Sequence, residues 1–329
     1  MTVGRSAGVT DKGRKRRRNE DAFVKEPPLF AVADGMGGAQ AGEIASKLAA
    51  AALEESDHGQ FRGEEGVAAL IQEANRRVYE RSNEDPSASG MGTTMTVALV
   101  EDGRVAIGHV GDSRAYLVRD GSLEQLTEDH SLVNELMKSG KLSPEEAETH
   151  PQRSVITRAL GTDPDVDVDT FTIEAREGDL FLLCSDGLTS MVADTTILDV
   201  LERHRNDLDR AARILVQEAN RGGGEDNITI VAFEITSADD TEQTVAMPAQ
   251  GSHAGDEDTL SGLEPVPAVD TMVVPAAEVE QAATEYERSR AAHDEEVDRV
   301  ARGARVRLVL TMLLLLAVAA VLVVWGLLR

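Results

Sequence analysis

The chain has 329 residues, a formal net charge of −26 and one cysteine, Cys184. That length allows a core of ordinary size with segments beyond it, and so acidic a surface excludes nucleic acid as a partner, because it would repel a phosphate backbone. Aromatics are 3% of the residues, too few for a base-stacking platform, and a lone cysteine permits no intramolecular disulfide, which fits a reducing compartment.

No apolar leader follows Met1, so no cleaved signal peptide is expected. Residues 22–25 and 29–33 predict strands. Residues 42–55 predict a helix with Ile44, Ala45, Leu48, Ala49 and Ala52 on one face, and a second helix presents Val67, Leu70, Ile71, Ala74 and Val78. The runs 93–100 and 105–110 flank Asp102-Gly103, a strong hairpin signal, and Asp120-Gly121 follows the run 115–118. Consecutive hairpins argue for antiparallel sheet and against a doubly wound parallel fold. Residues 130–139 and 143–148 predict short helices, the second opened by Ser143-Pro144-Glu145-Glu146, in an excursion that could serve as a flap. Strands return at 171–173 and 180–184. Leu208, Ala211, Ala212, Leu215, Val216 and Ala219 make a helical stripe stopped by Gly222-Gly223-Gly224, and 228–235 is the last strand. The expectation is an α+β layered domain over residues 1–236.

Residues 237–275 are acidic, without an apolar period, and predict a disordered linker. Within it Thr244 and Thr271 stand in similar settings and could be kinase targets or parts of docking peptides. Residues 276–305 predict a solvated juxtamembrane stalk, with coiled-coil pairing as the alternative. Residues 306–328 predict a transmembrane helix, since from Leu308 to Leu328 no charge interrupts a run long enough to cross a hydrocarbon core of about 30 Å. Arg299, Arg302, Arg305 and Arg307 precede it and only Arg329 follows, which places the folded domain in the cytoplasm.

The chemistry centres on Asp34-Gly35-Met36-Gly37-Gly38, directly after the run Leu29-Phe30-Ala31-Val32-Ala33. A strand ending in a carboxylate beside glycines suits a metal or a phosphate; the bland alternative is a solvated glycine turn. The pattern recurs at Leu183-Cys184-Ser185-Asp186-Gly187 and at Val110-Gly111-Asp112-Ser113. Glu225-Asp226-Asn227 precedes the last strand, and Asn19-Glu20-Asp21 precedes the strand at 22–25. Carboxylates so far apart in sequence converge only if the sheets bring their ends together, and divalent cations with oxygen ligands are the natural reason to tolerate it. Without zinc-type Cys or His spacing, Mg²⁺ or Mn²⁺ is expected.

Arg16 ahead of Asn19-Glu20-Asp21, then Asp34-Gly35-Met36-Gly37-Gly38, Gly92-Thr93-Thr94, Gly111-Asp112-Ser113-Arg114, Ser185-Asp186-Gly187 and Glu225-Asp226-Asn227 stand in the order seen in metal-dependent protein phosphatases of type 2C. The chain resembles a bacterial member of that family over residues 1–236. The resemblance implies a four-layer α-β-β-α sandwich of two antiparallel sheets flanked by helices, and hydrolysis of phosphoserine and phosphothreonine in proteins. It implies that Asp34 bridges two metals, that Gly35 adds its carbonyl, and that Asp186 and Asp226 complete the first metal's shell. Glu20 and Asp21 would serve the second metal, Asp112 with Asp186 would hold a third, and Arg16 would bind the substrate phosphate. Two close metals lower the pKa of a bridging water, whose hydroxide attacks phosphorus in line. Asn227 is expected to hydrogen-bond around the ligands rather than to ligate. His130 and His150 are expected to be structural, and the other cations of the run Lys12 to Arg18 to be surface or substrate-attracting. Met36 stands where many eukaryotic relatives carry a histidine, which leaves a metal-bound water as general acid. The expected partners are phosphorylated proteins, with membrane Ser/Thr kinases and their substrates foremost. A non-catalytic scaffold or a partner-switching regulator is the alternative function.

Overall fold

The computed structural model describes residues 1–37, 41–237 and 272–273. Strands β1 (Thr2–Asp11), β2 (Asp21–Glu26) and β3 (Leu29–Met36) lead into helices α1 (Ala41–Glu54) and α2 (Gly63–Glu84). Next come β4 (Gly92–Thr93), β5 (Met95–Glu101), β6 (Arg104–Val110), β7 (Arg114–Arg119) and β8 (Ser122–Gln125). An excursion carries α3 (Leu132–Lys138), α4 (Pro144–Glu148) and β9 (Val155–Ile156). The chain then forms β10 (Asp169–Glu174), β11 (Leu180–Cys184), the single turn α5 (Asp186–Thr189), α6 (Asp194–Arg203), α7 (Leu208–Gly222) and β12 (Ile228–Thr236). Met272–Val273 is a further short strand, β13.

The strands make two main sheets, ordered β1-β12-β11-β7-β8 and β10-β6-β5-β3-β2, with β4 paired to β3. Every pair in them is antiparallel. Both Asp-Gly hairpins form as the sequence predicts. Asp102 and Gly103 have φ of 45° and 78°, and Asp120 and Gly121 have 52° and 72°; two left-handed residues give the turn whose twist matches the flanking strands.

Alternation of side chains along each strand builds the layers. Leu29, Ala31 and Ala33 of β3 pack with Ala45, Ala49 and Leu53 of α1 and Leu70, Ile71 and Ala74 of α2. The intervening Phe30 and Val32 face the other way and meet Phe181 and Leu183 of β11 and Val231 and Phe233 of β12. On that second sheet Leu180, Leu182 and Cys184 pack against Ile197 and Leu201 of α6 and Leu215 and Ala219 of α7. The result is the expected α-β-β-α order. At its centre Phe233 stacks on Phe30 with ring centroids 4.1 Å apart and lies 5.1 Å from Phe181, so the scarce aromatics join the two sheets.

Several elements lie beyond the expected set: β1, the two-residue strands β9 and β13, the single turn α5, and α6. β1 is an edge strand in which only Ala7 is fully buried, and its ladder is shifted between Val3 and Ser6; its sequence lacks the apolar alternation of a half-buried strand. α6 buries only Ile197, Val200 and Leu201, too short a stripe to stand out. Among the described residues no helix is long and apolar enough to cross a membrane. The predicted span 306–328 and stalk 276–305 lie outside the described residues, as do Gly38, Thr244, Thr271 and, apart from Ser237 and β13, the linker 237–275.

Candidate active site

The acidic residues predicted to converge do so at one end of the sandwich. Asp21 and Asp34 are direct partners across the β2–β3 ladder. Asp186 follows β11, Asp112 follows β6, and Asp226 precedes β12, where antiparallel pairing sets Cys184 opposite both Ile230 and Arg114. Ser185 ties the two sheets together: its hydroxyl donates to Asp21 Oδ2 at 2.9 Å and accepts from the Thr229 amide at 2.9 Å.

Close backbone approach makes this geometry possible. A Cβ on Gly35 would stand 2.1 Å from the Gly42 carbonyl oxygen and 2.5 Å from that of Glu20, so only glycine lets β3 pass α1 and the loop before β2. A Cβ on Gly187 would stand 2.0 Å from the Asn227 carbonyl oxygen. Asp34 is fixed through its backbone: its amide donates to Thr94 Oγ1 at 3.0 Å, and its carbonyl accepts from the Thr94 amide and the Thr93 hydroxyl, each at 2.8 Å.

The loop between β1 and β2 carries the cations. Asn227 holds it: Oδ1 accepts from the Glu20 amide at 2.7 Å, and Nδ2 donates to the carbonyls of Lys12 and Arg18, each at 2.9 Å. Asn227 is thus the hydrogen-bonder the sequence suggests. Arg16, swung inward on this loop, donates from Nη2 to Asp226 Oδ2 at 2.7 Å. Arg16, Asp112, Asp186 and Asp226 line one cavity of about 960 Å³, together with Lys15, Arg114 and Arg153. Glu20 lies behind, its Oε2 close against Gly42 at the start of α1.

Burial, and then mutual repulsion, resists ionisation here. Desolvation lifts Asp34 and Asp186 well above the ordinary carboxylate range, and the carboxylates around them push the same way: Asp21 and Asp186 on Asp34, Asp112 and Asp226 on Asp186. Asp21 is raised to about 7 by burial despite the Ser185 hydrogen bond, and Asp112 is raised to about 7 by burial and by Asp129. Arg16 moves oppositely: burial alone would lower its pKa, but the charge and hydrogen bond of Asp226 raise it.

Among the described residues no group of His, Cys, Asp or Glu is drawn tightly enough together to hold an ion as arranged. The donor set nevertheless suits hard cations. All the donors are oxygens, and Asp21 Oδ1 and Asp186 Oδ1 are buried with no hydrogen-bond partner, a costly state that a cation would relieve.

Other contributors carry weaker sequence signals. Arg114 makes a two-pronged pair with Asp129 from Nε at 2.9 Å and Nη2 at 2.7 Å and reaches the Tyr116 hydroxyl at 3.2 Å. Its motif flagged it, whereas Asp129 sits in an undistinguished polar stretch. Met36, the last residue of β3, is buried against Ile156 and Ala159, so the strand end beyond Asp34 carries no titratable group at that position. His109 and His130 are structural. Burial lowers both, His109 to about 3, and the Gly111 amide donates to His130 Nδ1 at 3.0 Å, leaving Nε2–H directed at Asp169.

Paired antiparallel sheets with carboxylates, glycines and an arginine gathered at one end narrow the class, and the chain belongs to the protein phosphatase 2C family, whose sequence pattern matches residues 11–221. It is 42% identical over 261 residues to the serine/threonine protein phosphatase PstP of Mycobacterium tuberculosis, covering 79% of this chain and 50% of that protein. This chain therefore spans about half the length of that relative. It is also 42% identical over 236 residues to the serine/threonine phosphatase stp of Listeria welshimeri, covering 68% of this chain and 93% of that one. Among solved structures, the catalytic domain of PstP in complex with two manganese ions superposes with a TM-score of 0.66 at 39% identity, covering 72% of this chain and all of that one.

Proposed function

We propose that this protein hydrolyses phosphoserine and phosphothreonine in other proteins, with Mg²⁺ or Mn²⁺ as cofactor. The observation that carries the reading is the single cavity in which Arg16 meets Asp112, Asp186 and Asp226, backed by the Asp21–Asp34 pair and its orphaned oxygen. Asp34, the Gly35 carbonyl, Asp186 and Asp226 would hold one ion, Asp34 with Glu20 and Asp21 a second, and Asp112 with Asp186 a third. Bound there, such ions supply a nucleophilic water at neutral pH and neutralise charge on the phosphoryl oxygens.

The chain's own groups do the rest. The Arg16 guanidinium, held on Asp226, can turn its planar fork to phosphoryl oxygens, which it binds more strongly as charge shifts in the transition state. Lys15 and Arg153 on the cavity wall offset the acidic surroundings for an incoming dianion. Asn227 keeps the Arg16 loop in register with Glu20.

The apolar run from Leu308 to Leu328 would anchor the chain in a membrane with the phosphatase domain in the cytoplasm. Membrane Ser/Thr kinases and their substrates are then the natural partners, because confinement raises their effective concentration. Membrane fractionation with protease protection of the domain tests the anchor. Phosphate release from a phosphothreonine peptide, with Mn²⁺ or with EDTA and in Asp34→Asn and Asp186→Asn, tests the chemistry. Metal-dependent turnover lost in either variant is expected; a folded, metal-loaded protein inert toward phosphopeptides and aryl phosphates alike would refute it.

A further inference from the structure

Strand β9 is tied to the site on one side. Ile156 bridges to Ser131, the Thr157 amide donates to the His130 carbonyl at 2.9 Å, and the His130 amide donates to the Gly111 carbonyl at 2.7 Å, next to Asp112. Ile156 itself is 1% exposed and packs on Met36 at the end of β3, two residues beyond Asp34. The two residues before β9, Arg153 and Ser154, line the cavity with Arg16, Asp186 and Asp226. The wall of the cavity and β9 are therefore one continuous piece of chain.

The other edge of β9 is occupied by this chain's own β13. Met272 pairs with Val155 and Val273 with Ile156, in parallel. Among the described residues, β9 is the strand that β13 pairs with, through backbone hydrogen bonds along that edge. Backbone ladders are indifferent to sequence, which makes such an edge a general receptor for extended peptide.

We propose that the outer edge of β9 is a docking strand for extended peptide, that Met272–Val273 is its internal occupant, and that this segment competes there with phosphopeptide substrates. The competition rests on the phosphatase reading above; the docking does not. An occupant within the same chain acts at the high local concentration set by its tether. A substrate peptide must displace it before lying along the cavity wall. A small aryl phosphate, which needs only the cavity, is indifferent to it.

The test is a disulfide lock in the full chain in detergent. The one native cysteine, Cys184, is buried, so Val155→Cys with Met272→Cys reports cleanly. Paired strands lie about 4.8 Å apart, within the Cα separation a disulfide accepts. Val155→Cys with Val273→Cys, out of register by one, is the control. Mild oxidation is expected to close an intramolecular bond in the first variant and little in the second. Equal closure of both, no closure, or bonds between chains overturns the docking. In the locked form, kcat/KM for a phosphothreonine peptide should fall at least about threefold and recover on reduction, while turnover of an aryl phosphate stays unchanged. Unchanged peptide turnover, or an equal loss for both substrates, overturns the competition. If the reduced protein turns over neither substrate, the phosphatase reading has failed and takes the competition with it, while the lock still decides the docking.

Discussion

Asn227→Ala is the sharpest test of how the site is held. The side chain supports three backbone groups of the Arg16 loop: the amide of Glu20 and the carbonyls of Lys12 and Arg18, at 2.7, 2.9 and 2.9 Å. Asn227 is 3% exposed, so water reaches these groups poorly once the amide is gone. Each lost bond costs about 0.5–1.5 kcal/mol, and an amide left buried without an acceptor costs about 1–3 kcal/mol. Because the loop can relax and re-solvate some of these groups, the expected loss is about 3 kcal/mol. For a domain of this size that lowers Tm by about 6–12 °C, measured by calorimetry in EDTA so that ion binding does not mask it. The loop also carries Arg16, so KM for a phosphopeptide should rise in the same variant by about tenfold, as if about 1.4 kcal/mol of phosphate binding were lost. A Tm within about 2 °C of the parent, or a Tm loss with unchanged KM, would refute the view that Asn227 clamps the arginine loop.

In EDTA the protein should lose stability as pH rises. Asp21 and Asp112 sit at about 7 in the fold against about 3.9 unfolded, so the native state binds more protons between those values, and stability present below about pH 4 is lost through about pH 7. Tm measured from pH 5 to 8 should fall; a flat or rising profile contradicts the burial argument. Mn²⁺ should reverse the slope, because carboxylates must lose protons to bind it, and calorimetric titration in buffers of different ionisation enthalpy should show proton release. Gly187→Ala should destabilise by roughly 2–4 kcal/mol, since its methyl group would stand 2.0 Å from the Asn227 carbonyl; a urea midpoint equal to the parent's would contradict the contact. Arg114→Ala leaves Asp129, whose side chain is 17% exposed, without its charged partner and with only the 3.3 Å hydrogen bond from Gln125 Nε2 among those described, and should cost about 2–4 kcal/mol, while Arg114→Lys should recover only part of that because lysine cannot fork.

The site was legible in the sequence wherever its signal is local. Asp34-Gly35 and Asp186-Gly187 each follow an apolar run, although β3 continues through Asp34 to Met36, and the glycine after each carboxylate is required by contacts at 2.1 and 2.0 Å; the local pattern and the packing need are the same fact. The hairpins were legible for the same reason, because the left-handed backbone at Asp102 and Asp120 demands the residues that announce it. Long-range pairings left no such trace. The Asn227 clamp spans more than two hundred positions, and nothing near Lys12 or Arg18 marks their carbonyls as acceptors. Asp129 is one acid among many until the fold sets Arg114 against it. β1 escaped because an edge strand that buries little needs no alternation, and its register is set by β12 rather than by its own side chains.

This division has a physical origin that also explains the placement of the site. A carboxylate in mid-strand would oppose core packing at every fold of the sheet, whereas one at a strand end opposes it only where the layers open. Here Asp21, Asp112, Asp186 and Asp226 stand at first residues of strands or helical turns or in the turns beside strands, and Asp34 lies two residues before the end of β3, so their mutual repulsion is confined to one mouth of the sandwich. Deeper in the sandwich, the stacked Phe30, Phe233 and Phe181 join the two sheets and so limit how far they can part at the mouth. The core thus bears the strain of holding acids together, and cations that enter the mouth relieve a cost the fold has already met. It follows that loosening this aromatic stack, far from any ligand, should weaken metal affinity through the spacing of the sheets.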